Sequence, residues 1–137
     1  MALPASACSA DLWQHTYENQ RLRVVEACTA VQGRVVSVHH NADGDAHIAL
    51  APDDRSVVNL TNAILAQGQL ITEVVCEHPP TDTGRYANEV KSACAGYNSD
   101  IALPKIGDRV RITGAYVIDV DNGWAEIHPI TRIEIIR

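Results

Sequence analysis

The stretch Gly114-Ala-Tyr-Val-Ile-Asp-Val-Asp-Asn-Gly-Trp-Ala-Glu-Ile-His-Pro129 predicts a β-hairpin near the end of the chain. Its two strand-like runs flank Asp121-Asn-Gly123, and residues of this kind tolerate the positive φ angles that tight turns require. Glu126 and His128 stand two residues apart on the second strand, so their side chains leave the same face. The hairpin is therefore expected to present a carboxylate and an imidazole side by side.

A second hairpin with the same kind of pair is predicted earlier in the chain. Asp45 and His47 follow the turn-forming Asp43-Gly44, again two residues apart. The alternate residues of this strand are apolar and are assigned to the core: Ala46, Ile48 and Leu50. On the last strand the predicted core face consists of Ile127, Thr131, Ile133 and Ile135. Both acid–imidazole pairs should thus point away from the core, toward solvent or a covering loop.

The alternation of apolar and polar residues predicts a mainly β fold. Five strands are expected, at residues 31–40, 45–51, 69–76, 109–120 and 125–136. Helical signals between Ser9 and Glu26 predict a short N-terminal helical segment. A mid-chain insertion should contain a short helix, capped by Asn59 or Thr61, and a long loop with one helical turn at residues 88–95. Gly33 is expected to bend the first strand.

These elements favour a single domain, 1–137, in which residues 1–27 pack on a barrel formed by residues 28–137. Their order matches the five-stranded oligonucleotide/oligosaccharide-binding barrel, so an OB-fold-like barrel is predicted. The run Pro104-Lys-Ile-Gly-Asp-Arg-Val-Arg-Ile-Thr-Gly114 resembles a phrase that enters a late strand in many such barrels. A different small β-barrel or a β-sandwich is the alternative.

The composition and net charge of the chain limit the kinds of binding partner that it can have. The 137 residues are 46% hydrophobic, and no apolar run approaches the length of a membrane span. The net charge of -6 argues against a nucleic-acid partner, because basic surface drives affinity for phosphate backbones. An acidic protein of this kind is better suited to cations or neutral molecules.

The cysteines indicate the compartment. The chain has four cysteines, Cys8, Cys28, Cys76 and Cys94, and no two of them form a Cys-x-x-Cys pair, which argues against a cysteine zinc site. Four widely spaced cysteines favour disulfides and a secreted or periplasmic location, and of three connectivities we favour Cys8–Cys28 with Cys76–Cys94. Four buried thiols in a cytosolic protein are the alternative. Met1-Ala-Leu-Pro-Ala-Ser-Ala-Cys8 lacks the features of a signal peptide, so the signal of a secreted protein is expected to have been removed.

The two acid–imidazole pairs define the candidate site. If Asp45, His47, Glu126 and His128 converge, they form a ligand set for a divalent metal such as Zn, Mn or Fe. Alternatively, Glu126 or His128 could act as a general base. In a third reading the four residues form an ordinary polar strand face. Trp124 is either a packing residue of the hairpin or a platform for a ring-shaped ligand.

The favoured function is that of a small secreted, disulfide-stabilised binding or accessory module. Its ligand would be a small molecule, a glycan or a metal held at the face that carries Asp45, His47, Trp124, Glu126 and His128. A metal-dependent hydrolase using the same face is the alternative from another class. A purely structural role, in which the pairs hold the hairpins together, is the third. His39 and His40, at the end of the first strand, could add a ligand.

Two phrases resemble a group of uncharacterised bacterial secreted domains. They are Asp43-Gly-Asp-Ala-His-Ile-Ala-Leu50 and Gly123-Trp-Ala-Glu-Ile-His-Pro129, and Cys94-Ala-Gly-Tyr97 matches a third feature of the group. There the second phrase runs His-Gly-Trp-x-Glu-Ile-His-Pro, whereas Asn122 stands at the first His here. The resemblance implies an OB-like fold and an extracytoplasmic location, and it carries no activity.

A weaker resemblance links Val35-Val-Ser-Val-His-His-Asn-Ala-Asp-Gly-Asp45 to staphylococcal-type nucleases. Those enzymes are also five-stranded barrels, and their Asp-Gly-Asp-Thr turn supplies a calcium ligand that would correspond to Asp45. His47 replaces the Thr, and Asp53, Asp54 and Arg55 do not reproduce the remaining catalytic arrangement. The resemblance therefore rests on one turn.

Overall fold

The computed structural model describes residues 1–137, and strands form most of its regular structure. The strands are β1 (Leu22–His40), β2 (Ala46–Pro52), β3 (Leu70–Val74), β4 (Arg109–Asp119) and β5 (Ala125–Ile135). Two short α-helices are inserted between them, α1 (Leu60–Leu65) and α2 (Ala87–Cys94). Short 3₁₀ segments lie at Ala5–Ala7, Ala10–His15, Asn19–Arg21 and Arg55–Val57. None of the helices has the length and hydrophobicity needed to cross a membrane. The predicted mainly β class is confirmed.

The five strands form one mixed sheet that closes into a ring in the order β1-β2-β3-β5-β4. All neighbouring pairs are antiparallel except β3 and β5, which run parallel. The ring encloses an aliphatic core to which every strand contributes. Its fully buried members include Val35, Ile48, Leu50, Leu70, Val74, Ile112, Ile127 and Ile130. Burial of this apolar surface is the main force that closes the sheet.

Strand β1 is long because it pairs on both sides. Its first part pairs with β4 and its last part with β2, and Gly33 pairs with both Val110 and Pro52. A Cβ atom at Gly33 would lie 2.3 Å from the backbone oxygen of Ala51, so the position needs glycine. The register of β1 against β2 shifts between Val35 and Ser37, two residues after Gly33.

The prediction of helix through Glu26 is wrong in its second half. The N-terminal segment contains only short 3₁₀ segments. Strand β1 begins at Leu22, whereas the sequence predicts a barrel that begins at residue 28. Leu22 pairs with Asp119 and Val24 with Val117. The β-branched Val24 and Val25 favour this extended conformation over a helix.

The mid-chain helices and the disulfides are those predicted from the sequence. Helix α1 begins with a capping box, in which Asn59 and Asn62 exchange side-chain and backbone hydrogen bonds. The cysteines form Cys8–Cys28 and Cys76–Cys94, the favoured pairing, and no cysteine is free. A disulfide-bonded domain is consistent with an extracytoplasmic location.

Part of the predicted core face of β5 is wrong. Ile127 belongs to the central core as expected, and so does Ile130, which the predicted core face omits. Ile135 is exposed. The register against β4 shifts between Thr113 and Gly114 and again between Gly114 and Tyr116, and these shifts change which face the following residues present.

Candidate functional site

The predicted site residues lie on the outer face of three adjacent strands. Strand β3 lies between β2 and β5, and the register pairs His47 with Glu73 on one side and Ile71 with Glu126 on the other. Residues at alternate positions share a face, so Glu73 projects between the His47 side chain of β2 and the His128 side chain of β5. The strand order thus brings the two acid–imidazole pairs together.

Four ionisable side chains at this place are almost completely removed from solvent. The relative exposure is 2% for Asp45, 3% for Glu73, 1% for Glu126 and 0% for His128. We call these four residues the buried acid–histidine cluster. They point away from the ring interior as predicted, but they face a covering segment and not the solvent.

The cover is the N-terminal segment. Leu12 packs on Val75 and Cys76, two and three residues after Glu73, and Ser9 donates its backbone N–H to Thr131 Oγ1 on β5. Further along, the Tyr17 hydroxyl donates to Asp43 Oδ2 at 3.2 Å. Cys8–Cys28 anchors this segment to β1. Residues 9–21 therefore lie against the outer face beside the cluster.

His128 has partners at one ring nitrogen only. Its Nδ1 lies 2.9 Å from Glu126 Oε1 and 3.2 Å from Glu73 Oε2. Its Nε2 is fully buried and has no hydrogen-bond partner. The carboxylate oxygen Asp45 Oδ2 lies 3.9 Å from this nitrogen. A buried polar atom without a partner costs about 1–3 kcal/mol, so this nitrogen requires an explanation.

The side chains around His128 are held in place by further hydrogen bonds. The Trp124 indole donates its Nε1–H to Glu126 Oε2 at 2.6 Å. The backbone N–H of Cys76 donates to Asp45 Oδ1 at 3.1 Å. Asp45 and Trp124 therefore contribute to one fixed arrangement with Glu126 and His128.

His47 lies at the edge of the cluster. Its Nε2 contacts Glu73 Oε1 at 2.7 Å, and its side chain keeps 32% exposure. His47 and Trp124 also line a groove of about 270 Å³ on the outer face, together with Ser37, His39, Gln69 and Ile71. The groove borders the cluster, while the cluster itself has no opening to solvent.

Burial and charge alter the protonation of the cluster. Burial opposes protonation of His128, but the charge of Glu73 and hydrogen bonds with Glu126 and Glu73 outweigh it and raise the pKa of His128 well above its usual value. Burial would raise the pKa of Glu73, yet contacts with His128 and His47 lower it well below the ordinary value. Glu73 is therefore the ionised partner of His128.

The other two carboxyl groups behave in the opposite way. Burial, followed by the charges of Glu73 and Asp43, raises the pKa of Asp45 well above its usual value. Burial also raises the pKa of Glu126, against the hydrogen bond with His128. Asp45 is thus held toward its neutral form beside an unpaired imidazole nitrogen.

Two groups of atoms at this site could hold a metal ion. Asp45, Glu73 and His128 form one and Asp43, His47 and Glu73 the other, each with ligand atoms within 4.8 Å of one another. Carboxylate and imidazole ligands suit Zn, Mn or Fe, as the sequence suggested. The structure brings together Asp45, His47, Glu126 and His128, with Trp124 as a hydrogen-bond donor.

Glu73 is the residue of the site that the sequence analysis missed. It contacts both His47 and His128, and it lies in a strand otherwise made of Leu70, Ile71, Thr72 and Val74. A lone carboxylate within such an apolar strand was the available signal, because buried acids are rare unless they have partners.

Comparison of the chain with protein-family models finds no match, and no curated protein is significantly similar to it.

Proposed function

We propose that this chain is an extracytoplasmic binding module with an OB-fold-like barrel that holds a divalent metal ion between Asp45, Glu73 and His128. The observation that carries the proposal is the buried, unpartnered Nε2 of His128. It faces Asp45 Oδ2, which is 3.9 Å away. Two metal–ligand bonds of about 2.0–2.2 Å each bridge atoms at that separation, with the metal off the line that joins them.

The tautomer of His128 supports metal ligation. When the neutral ring donates its Nδ1–H to Glu126, the Nε2 lone pair is free for a metal. A histidine that donates one ring N–H to a carboxylate while the other nitrogen binds metal is a recurrent arrangement in metalloproteins. Glu126 would then orient His128, and Trp124 would orient Glu126.

The charge of the cluster supports a cation as well. Three carboxyl groups and one imidazole are buried together, and without a metal the pKa of Asp45 is raised because its negative charge is desolvated beside Glu73. A divalent ion would compensate the ionised forms of Asp45 and Glu73. His47 would neutralise the remaining oxygen of Glu73, its partner at 2.7 Å.

The strand order and the disulfides support the wider assignment. The ring of five strands, its parallel β3–β5 pairing and the helix before β3 support the proposal of an OB-fold-like barrel. Two disulfides favour a secreted or periplasmic protein. The complete burial of Asp45, Glu126 and His128 favours a bound metal that serves the structure or a binding function over a hydrolase, because a substrate would have to reach the same atoms.

The test is Zn²⁺ binding observed at His128 itself. Metal-free protein is titrated with Zn²⁺, both folded and during refolding with the disulfides intact, and imidazole nitrogen resonances are followed by NMR. We expect a large shift of the His128 Nε2 resonance. In D45N the shift should be lost while the fold is kept, because asparagine mimics the neutral carboxyl of Asp45 and still accepts from Cys76.

D100N, which alters an exposed carboxylate, is the matched control and should behave as the wild type. An unchanged His128 resonance in the wild type would refute the metal site. A Zn²⁺-dependent shift of equal size in D45N would also refute it, since Asp45 could not then be a ligand.

A further inference from the structure

A second group of metal-ligating side chains lies on the surface, between the end of β1 and the loop after β3. His40 Nδ1 lies 2.7 Å from Glu77 Oε1, and His78 Nδ1 lies 3.0 Å from the same oxygen. The two imidazole rings meet edge to face, with centroids 5.5 Å apart. Three ligand atoms from these residues lie within 4.8 Å of one another.

The backbone holds these residues in a defined position. The backbone N–H groups of Glu77 and His78 both donate to the oxygen of Gly44, and those of Thr81 and Asp82 donate to Ala42. A Cβ atom at Gly44 would lie 2.9 Å from the His78 oxygen, and φ there is +89°. Cys76–Cys94 fixes the residue before Glu77. The loop is thus tied to the β1–β2 turn.

The hydrogen bonds of His78 define which ring nitrogen carries a lone pair. Its Nε2 lies 2.6 Å from the backbone oxygen of Asn41, and a carbonyl can only accept, so Nε2 bears a proton. In the neutral ring Nδ1 then presents its lone pair to Glu77 Oε1. Two acceptors face each other there unless a second proton or a cation lies between them.

Glu77 lies at the centre of the group. Its carboxyl group is flanked by two imidazoles, and each of them points Nδ1 at Oε1.

We propose that His40, Glu77 and His78 form a second, surface site for a divalent transition metal ion of the Zn²⁺ class. Two imidazole nitrogens and one carboxylate oxygen are the protein ligands of many open zinc sites, and they favour transition metals over Ca²⁺ and Mg²⁺. The Nε2–H bond from His78 to Asn41 supplies the outer-shell contact that orients such ligands. His40 is 58% exposed, so the remaining coordination positions are open to water or to an external ligand.

This surface site shares no residue with the buried acid–histidine cluster, so either site can exist without the other. The neighbouring His39 is outside the group and lines the groove on the outer face. The pair His39 and His40 therefore provides an internal comparison, because the two are adjacent, exposed and of one residue type.

The test is Zn²⁺ titration of the full chain at neutral pH in a buffer that does not bind metal, by calorimetry and by imidazole NMR. We expect the His40 and His78 resonances to shift together. H40Q, H78Q and E77Q should each weaken this binding at least about tenfold, since loss even of an outer-shell partner costs that much. H39Q should bind as the wild type does.

All these residues are at the surface, and circular dichroism will verify that each variant folds. The proposal fails if the His40 and His78 resonances do not respond to Zn²⁺ at about 1 mM. It also fails if any of H40Q, H78Q and E77Q keeps wild-type affinity at this site, or if H39Q weakens binding as much as H40Q does.

Discussion

Glu73 and His128 lie side by side on the adjacent strands β3 and β5, with Oε2 of the acid 3.2 Å from Nδ1 of the imidazole. The other oxygen of the same carboxylate contacts His47 on β2. One residue of the central strand thus joins the two acid–imidazole pairs that the sequence presents on separate hairpins. The contact predicts that Glu73 controls the stability of the whole cluster.

Replacement of Glu73 should therefore be strongly destabilising. In E73Q the imidazole of His128 loses its buried counter-charge, and we expect the free energy of unfolding to fall by about 3 kcal/mol. Urea denaturation in the presence of a chelator measures it. E134Q is the control, because Glu134 pairs with Arg111 and Arg132 at the surface and should cost less than about 1 kcal/mol. Similar losses in the two variants would contradict the prediction.

The stability of the metal-free protein should decrease as the pH rises above neutrality. The pKa of His128 is raised in the folded state, so its contribution is complete below about pH 6.5, the unfolded value, and is lost as the pH rises through the folded value. The raised pKa of Asp45 acts in the same direction. The lowered pKa of Glu73 acts at the other end, where stability is lost as the pH falls below its unfolded value of about 4.5.

Urea denaturation at a series of pH values, with a chelator present, measures this profile. Each proton that the folded state retains and the unfolded state has lost contributes a slope of at most about 1.4 kcal/mol per pH unit above pH 6.5. With saturating Zn²⁺ the slope should become smaller, because metal binding releases the proton from His128. A metal-free profile that is flat on the alkaline side would show that His128 is neutral in the folded protein.

Removal of the indole N–H should weaken the buried metal site without removing a ligand. In W124F a smaller aromatic ring replaces the indole and the 2.6 Å bond to Glu126 Oε2 is lost, so His128 is less firmly oriented. We expect about tenfold weaker Zn²⁺ binding at His128. W13F is the matched control, since Trp13 packs on Leu22, Ala115 and Val117. Equal affinities in the two variants would exclude an orienting role for Trp124.

The two disulfides should differ in their effect on amide hydrogen exchange in β5. They join residues 20 and 18 positions apart, so C8A/C28A and C76A/C94A should each cost about 3 kcal/mol in unfolding free energy. Hydrogen exchange distinguishes them. The amides of β5 beside Glu126 should exchange faster in C8A/C28A, which releases the covering segment, than in C76A/C94A. The reverse order would contradict the assignment of residues 9–21 as the cover.

Local signals in the sequence predicted much of the fold. Alternation and turn residues located β2, β4 and β5 to within a residue or two, and Asn59 marked the start of α1. Each of these signals depends on neighbours along the chain, where steric preferences and local hydrogen bonds act directly.

The remainder depended on contacts between distant parts of the chain. In β3, Leu70 and Val74 are core residues, whereas Ile71 and Glu73 face outward. The parallel pairing of β3 with β5 brings Glu73 beside His128, and no local pattern encodes that pairing. The sequence therefore identified the members of both pairs, and the strand order decided that they meet.

The N-terminal segment controls the access of water to the buried acid–histidine cluster. The hydration of an acid near residue 126 depends on side chains more than a hundred positions earlier, since Leu12 and Tyr17 lie over the outer face. Deletion of residues 9–21 would admit water to carboxylates that the strands alone leave uncovered. A change in the N-terminal segment would therefore alter the protonation of acids on the C-terminal hairpin, β4–β5.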